Sequence, residues 1–242
     1  MTILRLMVSR KWIISTILVI IGSLVCVRLG IWQLDRLNQR RAFNTHYRET
    51  STLPMLEITI TPTADLTAME YRSVVVTGSY DFEHQVALRN QVHNNQFGYH
   101  LLTPLILSDG TGILIDRGWI PAENNPQAWR TYDQPGNVTI KGILRNGQDQ
   151  LELSNVNQTF LPVWSQVDIK RISQQLPYQL LPAYVQPDPD ASLKKPPYPY
   201  QPEIVVDEGP HFGYMITWFS FAALLFFGYP FYLRRQVKLE EK

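Results

Sequence analysis

The sequence predicts a membrane protein of the α+β class: two transmembrane helices at the ends flank a mostly antiparallel β-sheet or small open barrel. Three observations carry that prediction. Two long runs, one near each end, are apolar and almost free of charge. The middle is polar and strand-like, with turn signals and no βαβ rhythm. A proline-rich stretch separates that middle from the second run. The mean hydropathy of −0.15 averages over this segregation and hides it.

Residues 1–11 carry Arg5, Arg10 and Lys11 and lead into the first span, 12–32. Trp12 to Val27 bears no charge; Arg28 interrupts it and Leu29-Gly30-Ile31-Trp32 extends it toward the roughly 20 residues that cross a bilayer. Arg28 can snorkel, and Trp12 and Trp32 suit the interfacial aromatic belts. No A-x-A-like cleavage site follows, and Val25 stands where a lipoprotein signal needs a small residue before Cys26. A retained helix is therefore expected rather than a cleaved signal. The short lead before Trp12 leaves no room for a mitochondrial transit peptide, so a bacterial plasma membrane is the expected home. Cys26 is the single cysteine, which excludes an internal disulfide and a cysteine-built metal centre.

Residues 33–209 are expected to form an extracytoplasmic β-rich domain. They begin helically: Leu34, Leu37, Arg41 and Phe43 lie in a charged, glycine-free segment that prolongs the first span, until Pro54 and Pro62 end the regularity. Strands are expected over Arg72–Tyr80, Gln85–Asn90, Tyr99–Leu107, Thr111–Arg117, Val138–Arg145 and Val163–Asp168. Ser108-Asp109-Gly110 is a hairpin turn between the third and fourth of these. Asp168 can cap a short helix reaching Leu176. Six of the 17 prolines fall between Pro187 and Pro202, and residues 187–202 read as an extended connector rather than core.

The second span, 210–233, has no charge from Phe212 to Leu233. Glu203, Asp207 and Glu208 precede it, and Arg234, Arg235 and Lys238 follow in 234–242. The positive-inside rule puts that tail in the cytoplasm, and two spans put the N-terminus there too. The first span obeys less well, because Arg28, Arg36, Arg40 and Arg41 lie on its outer side. A net charge of +1 implies no general attraction to nucleic acid; the partners expected are the lipid bilayer and other proteins.

No nucleophile elbow, P-loop or dinucleotide fingerprint occurs, so no catalytic constellation is expected. His46, His84, His93 and His100 lack metal-site spacing and read as surface or turn histidines. Asp81 and Asp116 read as turn or salt-bridge residues at strand ends. Asp116-Arg117-Gly118-Trp119-Ile120-Pro121 suggests a tight bend, with Arg117 paired to a carboxylate and Trp119 in the core. His211 stands apart. An ionisable, metal-liganding side chain at a bilayer boundary is costly to keep. Imidazole is a common axial ligand of haem iron. Pro210 fixes the start of the helix, and Tyr214 and Trp218 follow His211 at i+3 and i+7 on one face. From these features alone, a haem ligand and an ordinary interfacial imidazole remain equally open.

Four segments resemble the Surfeit locus protein 1 family of membrane proteins: Leu29-Gly30-Ile31-Trp32-Gln33-Leu34-Asp35-Arg36; Tyr71-Arg72-Ser73-Val74 with Gly78-Ser79-Tyr80-Asp81; Gly112 to Pro121; and His211-Phe212-Gly213-Tyr214 with Trp218-Phe219. They run in the family's order and cover the chain from end to end. The resemblance implies an assembly factor for cytochrome c oxidase rather than an enzyme. It implies binding of haem a and help with its insertion into the core subunit, alongside other assembly factors. The histidine heading the second span would be the iron ligand, which is His211 here. One departure is Thr217, where the family pattern has Gln. On this reading Tyr214 and Trp218 would contact the haem, and Arg36 or Arg117 could pair with its propionates bidentately. The alternative is a cofactor-free scaffold that holds oxidase subunits.

Overall fold

The computed structural model describes residues 3–122, 126–148 and 160–240. The outermost residues of the two expected cytoplasmic ends, 1–2 and 241–242, lie outside that range. In chain order the elements are α1 (Ile3–Met7), α2 (Ile13–Ser51), β1 (Leu56–Ile58), β2 (Ser73–Tyr80), β3 (Val86–His93), β4 (Gln96–Ile106) and β5 (Gly112–Pro121). They continue with β6 (Asn137–Asn146), β7 (Val163–Trp164), α3 (Ile169–Ser173), β8 (Leu180–Pro187) and α4 (His211–Glu240). Two compact units result: Met1–His46 with Val205–Lys242, and Tyr47–Ile204.

In the helical unit, α2 and α4 are both long and apolar enough to cross a membrane. From Trp12, just ahead of α2, and on along the helix through Thr16, Val19, Ser23, Cys26, Gly30, Gln33, Leu37, Arg40 and Asn44, residues recede from solvent in steps of four and three. That spacing has a period of 3.5, the seam of a left-handed coiled pair. The facing stripe on α4 is His211, Met215, Trp218, Ala222, Leu225 and Tyr229. Small and polar residues dominate the α2 seam, as expected where lipid gives no hydrophobic drive for helix pairing. The Thr16 and Tyr229 hydroxyls share a buried hydrogen bond of 2.8 Å. At Gly30 a Cβ would come within 2.8 Å of Phe219 Cε1, so the missing side chain admits that ring. Trp12 meets Tyr232 edge to face.

The β unit is a mixed sheet in the order β1-β2-β6-β8-β5-β4-β3-β7, with β2 also paired to β4. That extra pairing, Ser79 with Ile106 and Tyr80 with Leu105, closes β2, β6, β8, β5 and β4 into a ring. The sheet therefore closes into a small barrel, where a mostly antiparallel sheet or a small open barrel was expected; closure removes the edges an open sheet would expose. Val74, Val76, Leu105, Ile113, Ile115, Leu144, Ala183 and Val185 fill one core. Fully burying each larger aliphatic chain stabilises the fold by about 1.5–3 kcal/mol. Leu114, between Ile113 and Ile115 on β5, points the other way and packs with Leu102, Trp164, Ile169 and Ile172 under α3. Both faces of β5 are thus covered, which explains its unbroken burial.

Most expected strands are present, with edges moved by a few residues. Val163–Asp168 yields only the two-residue β7, because Asp168 turns to cap α3, its side chain accepting the Arg171 N–H at 3.1 Å. Two strands escaped the sequence reading, β1 and β8. The proline-rich stretch is also less free than expected. Tyr198 exchanges two backbone hydrogen bonds of 2.9 Å with Trp119, and Gln201 donates to the Gln186 carbonyl. Gly118 makes this docking possible: its φ is +110°, and a Cβ there would overlap the Tyr198 carbonyl.

Gly118→Ala is accordingly expected to cost more than about 3 kcal/mol, combining left-handed strain with expulsion of the connector. Gly110→Ala, at φ +84° with open space around it, should cost only about 1 kcal/mol. Urea unfolding of the full-length protein in detergent, followed by tryptophan fluorescence, measures the difference.

Candidate functional site

His211 begins α4 directly after Gly209 and Pro210. Its Nδ1 donates to the Oε1 of Gln33 on α2 at 2.8 Å. Gln33 is 8% exposed and lies on the helix seam. That contact fixes the ring's orientation and leaves Nε2 with no hydrogen-bond partner among the described residues. Gly209 adopts φ +62°, and a Cβ there would stand 3.6 Å from Nε2. Glycine suits that left-handed backbone, and a Cβ there would meet the ring only at ordinary contact distance.

The approach to His211 is held by the same helix. Arg40 donates from Nε to the Asp207 carbonyl and from Nη2 to the Val205 carbonyl, both at 3.1 Å. Asn44 Nδ2 donates to the Asp207 carbonyl at 2.8 Å. Arg41 grips Glu208 bidentately, at 2.8 and 3.0 Å. Exposed ion pairs contribute little each, but here five donor atoms of three side chains converge on residues 205–208, just ahead of the histidine. Two of the arginines that strained the charge expectation are paired in this way.

The other expected site residues are distributed as follows. Trp218 shares the seam face with His211 and meets Phe221 edge to face at 6.1 Å. Tyr214 is 53% exposed on its flank. Arg36 is exposed, one turn beyond Gln33, with its guanidinium 5.8 Å from the Trp32 ring and Nη1 on Gln39. Arg117 is buried in the β unit, where it donates to the Tyr132 carbonyl and lies against the Tyr80 and Phe82 rings. Burial pulls its pKa down against the attraction of Tyr80 and Asp133. Thr217 is exposed and bonds back to the Gly213 carbonyl at 2.9 Å.

Gln33 is the functional neighbour the sequence reading did not assign. The signal was available: counting steps of four and three from Trp12 lands on Gln33, facing the partner helix. Of the histidines expected at the surface or in turns, His84 does lie in a turn, whereas His100 departs from the expectation. His100 is buried and pairs with Asp116 at 2.9 Å, while Asp116 also accepts from the Gly118 N–H. His84 Nδ1 meets Asp81 Oδ2 at 2.6 Å, and the Tyr178 hydroxyl donates to the same oxygen at 2.7 Å. This cluster resembles a general-base dyad, but among the described residues His84 has no hydroxyl or thiol to activate. No group of three or more His, Cys, Asp or Glu suited to a metal occurs among those residues either.

The profile of the SURF1 family matches residues 20–223, a span that includes both Gln33 and His211. This chain belongs to the SURF1 family. A SURF1-like protein of Rickettsia bellii is 27% identical over 221 residues, covering 89% of each chain. One from Monosiga brevicollis is 28% identical over 216 residues, covering 81% of this chain and 78% of its own. One from Caenorhabditis elegans is 24% identical over 234 residues, covering 88% and 72%. The SURF1 match thus extends from the first apolar helix through the β unit into the second.

The Asp81 cluster gives a pH dependence. Burial pushes the Asp81 carboxyl up, but the hydrogen bonds from Tyr178 and His84 prevail and hold it below the usual range. A carboxylate depressed in the folded state adds stability above its unfolded pKa, about 3.9, and that stability is lost as pH falls through the folded value. The stability gap between wild type and Asp81→Asn should therefore be full at pH 6 and shrink as pH falls below about 4. Denaturant unfolding of both proteins across that range measures it.

Proposed function

We propose that this protein is a membrane-anchored assembly factor of cytochrome c oxidase that binds haem a through His211 and helps insert it into the core subunit. The observation that carries the reading is the His211 ring, clamped at Nδ1 by Gln33 with Nε2 left free beside Gly209. This is the arrangement a metal-ligating histidine requires: one nitrogen oriented by a neighbour, the other available. Membership of the SURF1 family supports the same reading, because the family is generally linked to cytochrome oxidase assembly.

The chain's own residues divide the work. Gln33 orients the ligand, and Gly209 supplies the left-handed turn that leads into the helix head. Trp218, on the seam face, offers an aromatic surface for a planar ring, with Tyr214 exposed at its side. Arg36 is the arginine best suited to a propionate, since it is exposed and, among the described residues, hydrogen-bonds through Nη1 alone while lying over the Trp32 ring. Arg117 is already engaged within the β unit. His211, Trp218 and Tyr214 would hold haem a as bound cargo, its redox-active iron destined for the oxidase. In this reading both termini are cytoplasmic, the β unit is extracytoplasmic, and the home is a bacterial plasma membrane.

One observation favours the cofactor-free scaffold as a second reading. Val92 and Phe97 face each other across the β3–β4 hairpin, and Phe97 is 77% exposed. An exposed apolar pair at a hairpin tip suits contact with a partner subunit.

The test is the visible spectrum of protein purified from haem a-producing cells. Wild type should carry haem a, and His211→Ala should lose most of it. Equal haem content in the two proteins removes His211 as the ligand. Co-purification of oxidase subunits without haem favours the scaffold.

A further inference from the structure

The bond between Gln33 and His211 crosses from one helix to the other, and both sides of it are braced. Toward the membrane interior, Gly30 admits the Phe219 ring so closely that a Cβ would stand 2.8 Å from it. On the other side, Arg40 and Asn44 hold the Asp207 carbonyl at 3.1 and 2.8 Å. Gln33 itself is buried, so water does not readily replace it as the acceptor. Its partner ring makes no other hydrogen bond among the described residues.

Resting on the haem a reading, we propose that Gln33 is the positioning residue for His211, and that ligand strength is thereby tied to the packing of α2 against α4. A hydrogen bond accepted from one imidazole nitrogen raises the basicity of the other, the one that ligates. A carboxylate acceptor would raise it more than a neutral carboxamide does. The carboxamide gives a ligand of intermediate strength, which suits a cargo that must be surrendered. A hydrogen bond of 2.8 Å is lost once its atoms part by about an ångström. A partner that prises the two helices apart at this end would therefore weaken the ligand without touching the iron. Binding of the acceptor and release of the cargo become one event.

The experiment uses full-length protein in detergent, as wild type, Gln33→Leu and Gln33→Glu. In haem-free protein, ¹⁵N NMR of His211 should find Nδ1 protonated in wild type and a tautomer mixture in Gln33→Leu. With haem a bound, Gln33→Leu should bind about 10–100-fold more weakly, the usual effect of removing such a partner. It should also give up its haem faster to an excess of apo-globin. Gln33→Glu should move the other way, with a higher iron–histidine stretching frequency in the Raman spectrum and slower transfer. A merely structural role for Gln33 does not produce opposite shifts in the two variants. Wild-type affinity, transfer rate and stretching frequency in both variants overturn the proposal. The two layers fail separately. Wild-type haem uptake by His211→Ala sinks the ligand reading and the ligand-strength claim with it. An identical tautomer in wild type and Gln33→Leu sinks the Gln33 contact alone.

Discussion

An imidazole at the head of an apolar helix has two nitrogens to accommodate, and the Gln33 carboxamide takes one of them. The rest of the helical unit can be understood as what keeps that carboxamide in reach. The seam of α2 is built from Thr16, Ser23, Cys26 and Gly30, residues too small to hold the helices apart. The Thr16–Tyr229 bond and the Phe219–Gly30 fit fix the spacing below the site. The Arg40, Arg41 and Asn44 contacts fix the chain above it. His211 thus sits at a braced junction, with one ring nitrogen spoken for and one available.

The same contacts resolve an electrostatic puzzle in the sequence. The arginines that follow the first apolar run oppose the orientation expected from the charges around the second. Arg40 and Arg41 are paired with Asp207 and Glu208, so much of that positive excess is offset locally. Asp207 and Glu208, two of the acidic residues behind that expectation, also form the clamp. The β unit follows a different logic, in which ring closure and two-sided burial of β5 build the core. Arg117, in the middle of a motif matched to the family, is engaged inside that core.

Much of this was legible in the sequence, for reasons that differ by element. The two spans, the prolongation of α2 and β2, β4, β5 and β6 announced themselves by charge-free runs and β-branched alternation. The Asp168 cap was equally local. What escaped depended on distant partners. β1 has only Leu56–Ile58 and exists because β2 lies beside it. β8 carries Pro182 and borders a proline-rich stretch, yet β5 and β6 flank it on both sides. Closure rests on two residue pairs that no local pattern encodes. At the site, His211 stood out as a lone imidazole, whereas Gln33 looked like an ordinary polar residue at a helix end. Its meaning lies in a contact spanning most of the chain, which periodicity points toward but does not name.

The central claim is that His211 supplies the nitrogen that binds haem a iron. Electron–nuclear double resonance on the ferric haem a-loaded protein, grown with ¹⁵N-labelled histidine, tests that claim most directly. A nitrogen coupling from histidine that is present in wild type and gone in His211→Ala is the predicted result. The same coupling at wild-type strength in His211→Ala would contradict it.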